Sequence, residues 1–373
     1  MTTPRGPEES YESLCREFIA AFSAWADDPS SWAEPLLDRW ARQAFSLQFE
    51  GNEVYRRYCE RRGVGPAEVS GWRDVVPVPT AAFRAVDLVV GAEADTSVTF
   101  RTSGTTRGVA ARGRHPVRSP ELYAASARAA FRAFVLAEET APRLVTLPPS
   151  FEHDPDSSLG WMLDDLRTSV GDGDGVSVAT PEGVDWERLD AELDQSVEAG
   201  RPLCVLGTTV GFERWLARLE QGLGAELHLP AGSMLMDTGG EKGLPSGVSR
   251  SLVVRGLARR LGLPLESVVN EFGMTELCSQ RYGYGDPAVP LVGPPWLRAR
   301  VLDPVTLEEL PDGEVGILCH YDLANLGSVC AVLTEDRGRV AGDGIEWIGR
   351  TAGAPPRGCS LATAELLEAQ DRA

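Results

Sequence analysis

Residues 101–120 read RTSGTTRGVAARGRHPVRSP: five arginines and no acidic side chain, in a 373-residue chain of formal net charge -19. Such a reversal of sign marks a local anion site. Within it, Thr102-Ser103-Gly104-Thr105-Thr106-Arg107-Gly108 combines glycine with hydroxyls. Glycine lets backbone N–H groups converge on phosphate oxygens, and the hydroxyls add further donors. We read the segment as a nucleotide-triphosphate loop. The null alternative for this composition is a solvated basic turn.

Outward from the loop, short β-type runs precede it at 87–90 and 96–100, and an alanine-rich segment of helical spacing, 121–139, follows. Apolar runs at 144–147 and 203–207 predict buried parallel strands. They alternate with helices at 158–168, 186–199 and 212–222, and short strands follow at 233–236 and 268–270. Alternation of this kind builds an α/β fold with a mainly parallel sheet. Upstream, 11–62 is helical in its apolar spacing, and Pro77 and Pro79 hold 72–80 extended. Downstream, 298–348 is β-rich, with turns at Pro311-Asp312-Gly313 and Gly342-Asp343-Gly344. The expected organisation is a helical region at 1–90 packed on the core, an α/β core at 91–295, and a β-rich portion at 296–373 with a short tail.

Composition narrows the partners. The excess of 55 Asp and Glu over 36 Lys and Arg argues against nucleic acid or an anionic membrane surface. No apolar run approaches the roughly 20 residues that span a bilayer, and residues 1–9 do not resemble a secretion signal, so the expected location is cytoplasmic. Seven scattered cysteines lack zinc-site spacing and read as reduced, buried residues. Gly171-Asp172-Gly173-Asp174-Gly175 reads as a surface turn, since a calcium loop needs spaced ligands and a terminal glutamate.

Three more glycine-marked segments carry polar groups: Asp237-Thr238-Gly239-Gly240-Glu241-Lys242-Gly243, Asn270-Glu271-Phe272-Gly273-Met274-Thr275-Glu276, and Gly342-Asp343-Gly344. In this order and spacing, joined by Pro294-Pro295-Trp296, Asp322-Leu323-Ala324-Asn325 and Arg357-Gly358-Cys359-Ser360, they resemble the adenylate-forming superfamily over nearly the whole chain. Within it the resemblance is to the acyl-protein synthetases of the bacterial luciferase operon, which share features with phenylacetate ligases.

The resemblance implies a set of roles. Ser103, Gly104, Thr105 and Thr106 cradle the β- and γ-phosphates of ATP. Arg107 stands where many relatives carry a lysine, and Arg112, Arg114 and His115 are further sources of positive charge. Asn270, Glu271, Phe272, Gly273 and Met274 belong to the nucleotide site, with Phe272 against adenine and Gly239, Gly240 and Glu241 as another wall. Thr275 contacts the α-phosphate and Glu276 holds Mg2+. Asp343 accepts the ribose hydroxyls, and Arg350 is a second ribose contact. Cys359 receives the acyl group, with Arg357 placed to lower its thiol pKa. On its residues alone, Cys359 reads instead as a small buried residue at the start of a last helix over 362–369. Relatives with a mobile lid domain continue for roughly a hundred residues. Only 23 follow Arg350 here, none of them lysine, so the lid is expected to be absent or vestigial.

The implied activity is ATP-dependent activation of a carboxylic acid, of fatty type by analogy, to an acyl-AMP. Acyl transfer to Cys359 and then to an acyl reductase partner would follow. Two alternatives stay open: transfer to coenzyme A, a carrier protein or an amine, and a non-catalytic acyl- or nucleotide-binding subunit.

Overall fold

The computed structural model describes residues 7–92, 96–102, 112–136, 141–224, 227–240, 243–350 and 355–370. The chain divides into two compact units. The first comprises 1–129, 274–279 and 293–373, and the second 130–273 and 280–292.

The first unit begins with helices Pro7–Asp27, Glu34–Gly51 and Glu53–Arg61. Asn52 ends one helix and starts the next, its side chain accepting from the Tyr55 N–H. The helices bury Phe18, Phe22, Leu37, Trp40 and Phe45, and Phe22 stacks on Trp296 at 3.9 Å between ring centroids. The β-rich portion is a meander of Leu297–Leu302, Gly316–Asp322, Ala331–Ala341 and Gly344–Arg350, each antiparallel to the next. Gln48 ties the helices to it, donating to the carbonyls of Asn325 and Leu326 and accepting from the Cys330 N–H.

The expected strand at 96–100 forms as Val98–Arg101 and pairs with Arg114–Val117. The arginine-rich loop therefore joins two strands of a hairpin, and the helix Pro120–Phe134 comes only afterwards. No strand forms over 87–90. Leu88 and Val90 are buried, but the Val90 N–H bonds to Gly327 O and Leu88 O accepts from Ser328 Oγ, so irregular chain serves in place of a ladder.

The second unit carries the parallel sheet. Val176–Ser177, Arg143–Thr146, Leu203–Thr208, Met234–Thr238 and Val268–Phe272 lie side by side in parallel, and Arg281–Tyr284 and Leu291–Val292 continue the sheet antiparallel. On one face Val205, Leu235 and Val268 pack against Leu189, Phe212, Trp215, Val253 and Leu257. These come from helices Trp186–Ala199, Thr209–Glu220 and Arg250–Arg260, capped by Asp185, Thr208 and Ser249. Gly207 is required for this packing, since a Cβ there would stand 2.5 Å from the Phe212 ring.

Candidate active site

The Thr275-Glu276 segment belongs to the first unit and is held by three side chains. His115 is buried, and its Nδ1 lies 2.7 Å from Thr275 O. A carbonyl can only accept, so Nδ1 carries the proton. Burial pushes the imidazole down to about 4, which makes it a neutral positioning group rather than a phosphate-binding cation. Asn325 Nδ2 donates to Glu276 O at 2.7 Å. Asp322, fully buried, accepts from the Cys278 N–H at 2.8 Å and from Ser279 Oγ at 2.6 Å. The quoted Asp322-Leu323-Ala324-Asn325 stretch thus acts as a clamp beneath the glutamate.

Glu276 is 8% exposed, and burial raises its carboxyl to about 7. Its own N–H, Arg350 and Arg84 favour the charged form, and Asp336 opposes it. Asp336 is buried, faces Arg350 across the hairpin, and accepts from Arg350 Nε at 3.1 Å. Two carboxylates and two arginines therefore converge here. Sequence reasoning had not singled out Asp336 or Arg84.

Asp343 lies elsewhere. With Gly342, at φ +58°, it forms the two-residue turn between Ala341 and Gly344, and it is exposed. Five strand residues, about 17 Å of extended chain, carry the ladder from Asp336 to that turn. The expected grouping of Asp343 with Glu276 and Arg350 is not what the hairpin places together; Asp336 stands there instead.

Ser103, Gly104, Thr105, Thr106, Arg107 and Glu241 lie outside the described residues. Of the other loop arginines, Arg112 donates to Thr102 O and Arg101 O, Arg114 pairs with Asp87 at 2.9 Å, and Arg118 donates to Val90 O and covers the Tyr11 ring.

In the second unit, Thr238-Gly239-Gly240 follows the strand Met234–Thr238. Gly239 has φ +94°, and among the described residues, chain neighbours aside, no atom lies within 4 Å of a would-be Cβ on either glycine. Asp237 anchors the turn from below: fully buried, it takes a bidentate pair from Arg250 at 2.6 and 2.9 Å and a hydrogen bond from Thr209 Oγ1. Asn270 Nδ2 also reaches Asp237 and the Gly239 carbonyl. Phe272 is half-buried. Glu271 is buried and accepts a short hydrogen bond from Thr238 Oγ1; burial raises its carboxyl to about 7, the Thr238 bond lowers it, and Asp237 adds to the rise.

Cys359 is in the first turn of the helix Arg357–Gln370, which starts five residues before the expected 362. It is 4% exposed and packs with Leu302, Ile317, Cys319 and Leu333. The residue also lines a pocket of about 230 Å³ with Thr80, Glu335 and Ser360 among others. Burial, and then the charge of Glu335, push the thiol up to about 11. Arg357 does not lower it, because residues two apart on a helix face different ways, and Arg357 is exposed where Cys359 is buried.

Among the described residues no cluster of three or more potential metal ligands occurs, and no helix is long and apolar enough to cross a membrane. A single buried glutamate still fits magnesium, which takes one or two protein carboxylates and completes its shell with water and phosphate oxygens.

Known proteins resemble this chain. The chain is 23% identical over 362 residues to a long-chain-fatty-acid–luciferin-component ligase of Vibrio harveyi, covering 92% of each chain. It is 22% identical over 361 residues to the protein of that name from Aliivibrio fischeri, covering 91% of this chain and 92% of the other. Among solved structures, 2-hydroxyisobutyryl-CoA ligase in its postadenylation state superposes with TM-score 0.56 at 18% identity, over 86% of this chain and 65% of its own. An open conformation of that ligase gives 0.57 at 15% identity, over 84% and 68%. An ATP-bound MatB from Rhodopseudomonas palustris is matched over only 49% of its length, with TM-score 0.47 at 16% identity over 70% of this chain. The fold is shared with 2-hydroxyisobutyryl-CoA ligase. The family model of the acyl-protein synthetase LuxE matches residues 178–368, just over half the chain, and the protein belongs to that family.

Proposed function

We propose that this protein uses ATP to convert a carboxylic acid to its acyl-AMP and then takes the acyl group onto Cys359 as a thioester. An acid carboxylate oxygen attacks the α-phosphorus, the bond to the bridging oxygen breaks, and pyrophosphate leaves. The Cys359 sulfur then attacks the acyl carbon, AMP departs, and the thiol proton passes to solvent. Thr275 donates its hydroxyl to the α-phosphate. Glu276 holds Mg2+, which supplies charge screening. Phe272 and the Gly239-Gly240 backbone enclose adenine, and Asp336 with Arg350 takes the ribose in place of Asp343. The hydroxyls of 103–106 and Arg107 serve the β- and γ-phosphates.

One observation carries the reading: Glu276, buried beside Asp336, Arg350 and Arg84, sits on a segment fixed by His115, Asn325 and Asp322. Retaining a desolvated carboxyl on so rigid a support is costly unless a cation is recruited to it. By analogy with the two ligases named above, the acid is of fatty type and the thioester passes to a reductase partner.

The burial of Cys359 favours a second reading, in which coenzyme A, a carrier protein or an amine takes the acyl group directly. Incubation with ATP, Mg2+ and an acid panel tests both. Self-acylation predicts an acyl mass on the Cys359 peptide that hydroxylamine removes. Full product formation by Cys359→Ala rejects that step and leaves adenylation standing.

A further inference from the structure

Strand register sets four polar side chains in one row across the second unit's sheet. Thr208 pairs with Thr238, Thr238 with Glu271, and Glu271 with Tyr282. Residues paired this way project from the same face. Three of the four stand at or one residue short of the carboxyl ends of parallel strands, where open α/β sheets bind their ligands. The row beneath, Leu206, Met236 and Val269, is apolar and buried.

The polar row is under-satisfied. Glu271 is 2% exposed, and among the described residues its hydrogen-bond donor is Thr238. Among the described residues, the Tyr282 hydroxyl and Gln280 Oε1 are buried without a partner, although the Tyr282 ring stacks on Phe134 at 5.4 Å. These groups converge: a Cβ on Gly273 would lie 2.5 Å from Glu271 Oε1 and 3.6 Å from Gln280 Cγ, and the Glu271 charge acts on the Tyr282 hydroxyl. Leaving buried polar groups unpaired is expensive, so such a cluster needs a partner.

That partner is not the nucleotide. Successive strand residues point to opposite faces, so Glu271 faces away from Asn270 and Phe272. If Phe272 meets adenine, Glu271 is turned toward the other reactant, which removes it from the nucleotide set to which the resemblance assigned it. We propose that Glu271, with Gln280 and Tyr282, recognises a hydrogen-bond donor, a hydroxyl or an amine, carried by the acid this protein activates. Two of the three offer acceptor oxygens, so the complement is a donor. A plain alkyl chain would add no partner for Gln280 Oε1 or the Tyr282 hydroxyl and would leave Glu271 with Thr238 alone.

This inference rests on the adenylation reading and can fail separately from it. Octanoate and benzoate compete in one tube against their hydroxy- and amino-substituted counterparts, with ATP and Mg2+, and hydroxylamine traps the acyl-AMPs for mass spectrometry. A donor-bearing acid should win by about a hundredfold or more. Glu271→Leu should shrink that preference at least about tenfold, and Tyr282→Phe should do so to a smaller extent. Because each ratio comes from a single preparation, a lower folded fraction cancels, and Thr238→Val supplies a second variant should Glu271→Leu not fold. The hydroxy and amino arms distinguish the two donors. Unsubstituted acids matching the others, or a preference that survives Glu271→Leu while the KM for ATP rises, would overturn the inference and leave adenylation intact. Turnover of no acid would instead bring down the adenylation reading itself.

Discussion

Glu276→Gln should make the ligand-free protein more stable as it makes the enzyme inactive. Burial holds the Glu276 carboxyl near 7 instead of 4.5. A folded pKa raised above the unfolded one favours the neutral form, so this group costs nothing well below 4.5, progressively more as pH rises from 4.5 toward 7, and a constant amount above that. At pH 8 the cost is about 3 kcal/mol, and at pH 5 it is under about 1 kcal/mol. Gln keeps the shape and the hydrogen bond to its own N–H but never ionises. In urea unfolding without nucleotide or metal, the variant's advantage over wild type should therefore grow by about 2–3 kcal/mol between pH 5 and pH 8. Glu271 and Asp322, raised by burial, and His115, lowered by it, also shape the pH profile. They are present in both proteins and cancel. Pyrophosphate exchange should fall by about a hundredfold or more. A stability gap that stays constant with pH would refute the claim that this carboxyl is held desolvated.

Two shorter predictions concern the neighbouring groups. Asp336→Asn should raise the KM for ATP by about ten- to a hundredfold while Asp343→Asn stays within about twofold of wild type, as one charged hydrogen bond at the ribose requires; ATP-dependent exchange kinetics check this, and the opposite order returns the ribose role to the turn. Iodoacetamide should label Cys359 slowly at pH 7.5, followed by mass spectrometry, with a rate that climbs about tenfold per pH unit toward a thiol held near 11. A plateau below pH 8 would mean that the thiolate is already favoured.

Much of the fold is legible because independent signals agree. Residues 186–199 were expected as a helix and form as Trp186–Ala199, since Asp185 caps the start and Gly200, at φ +62°, supplies the left-handed stop. The stretch at 87–90 misled because burial and pairing are separate properties. Leu88, Val89 and Val90 are apolar for the core, while the Leu88 carbonyl and the Val90 N–H are satisfied by residues more than two hundred positions away, which no local pattern announces.

At two places in the proposed site the sequence expectation and the structure part, and in each the missing information is geometric. Gly342-Asp343-Gly344 carries obvious turn chemistry and so drew the ribose role. Yet the same turn fixes the hairpin register, and the register shift between Arg337 and Gly338 brings Asp336 opposite Arg350. Counting outward from the turn alone would set Glu335 opposite Arg350, and only the one-residue shift, which no local pattern announces, moves the pairing to Asp336. At Cys359 an arginine two residues away suggested an activated thiol, but a helix turns residues two apart in different directions, and burial, then the nearby charges of Glu335 and Cys319, push the thiol up instead. Taken together, a thiol kept protonated and sheltered in the helix Arg357–Gln370 cannot attack an acyl-AMP in this conformation. If Cys359 is the acceptor, the first turn of that helix, held by Gly358 N–H to Pro304 O and by the Cys359 thiol to Thr334 O, has to release before the second half-reaction proceeds.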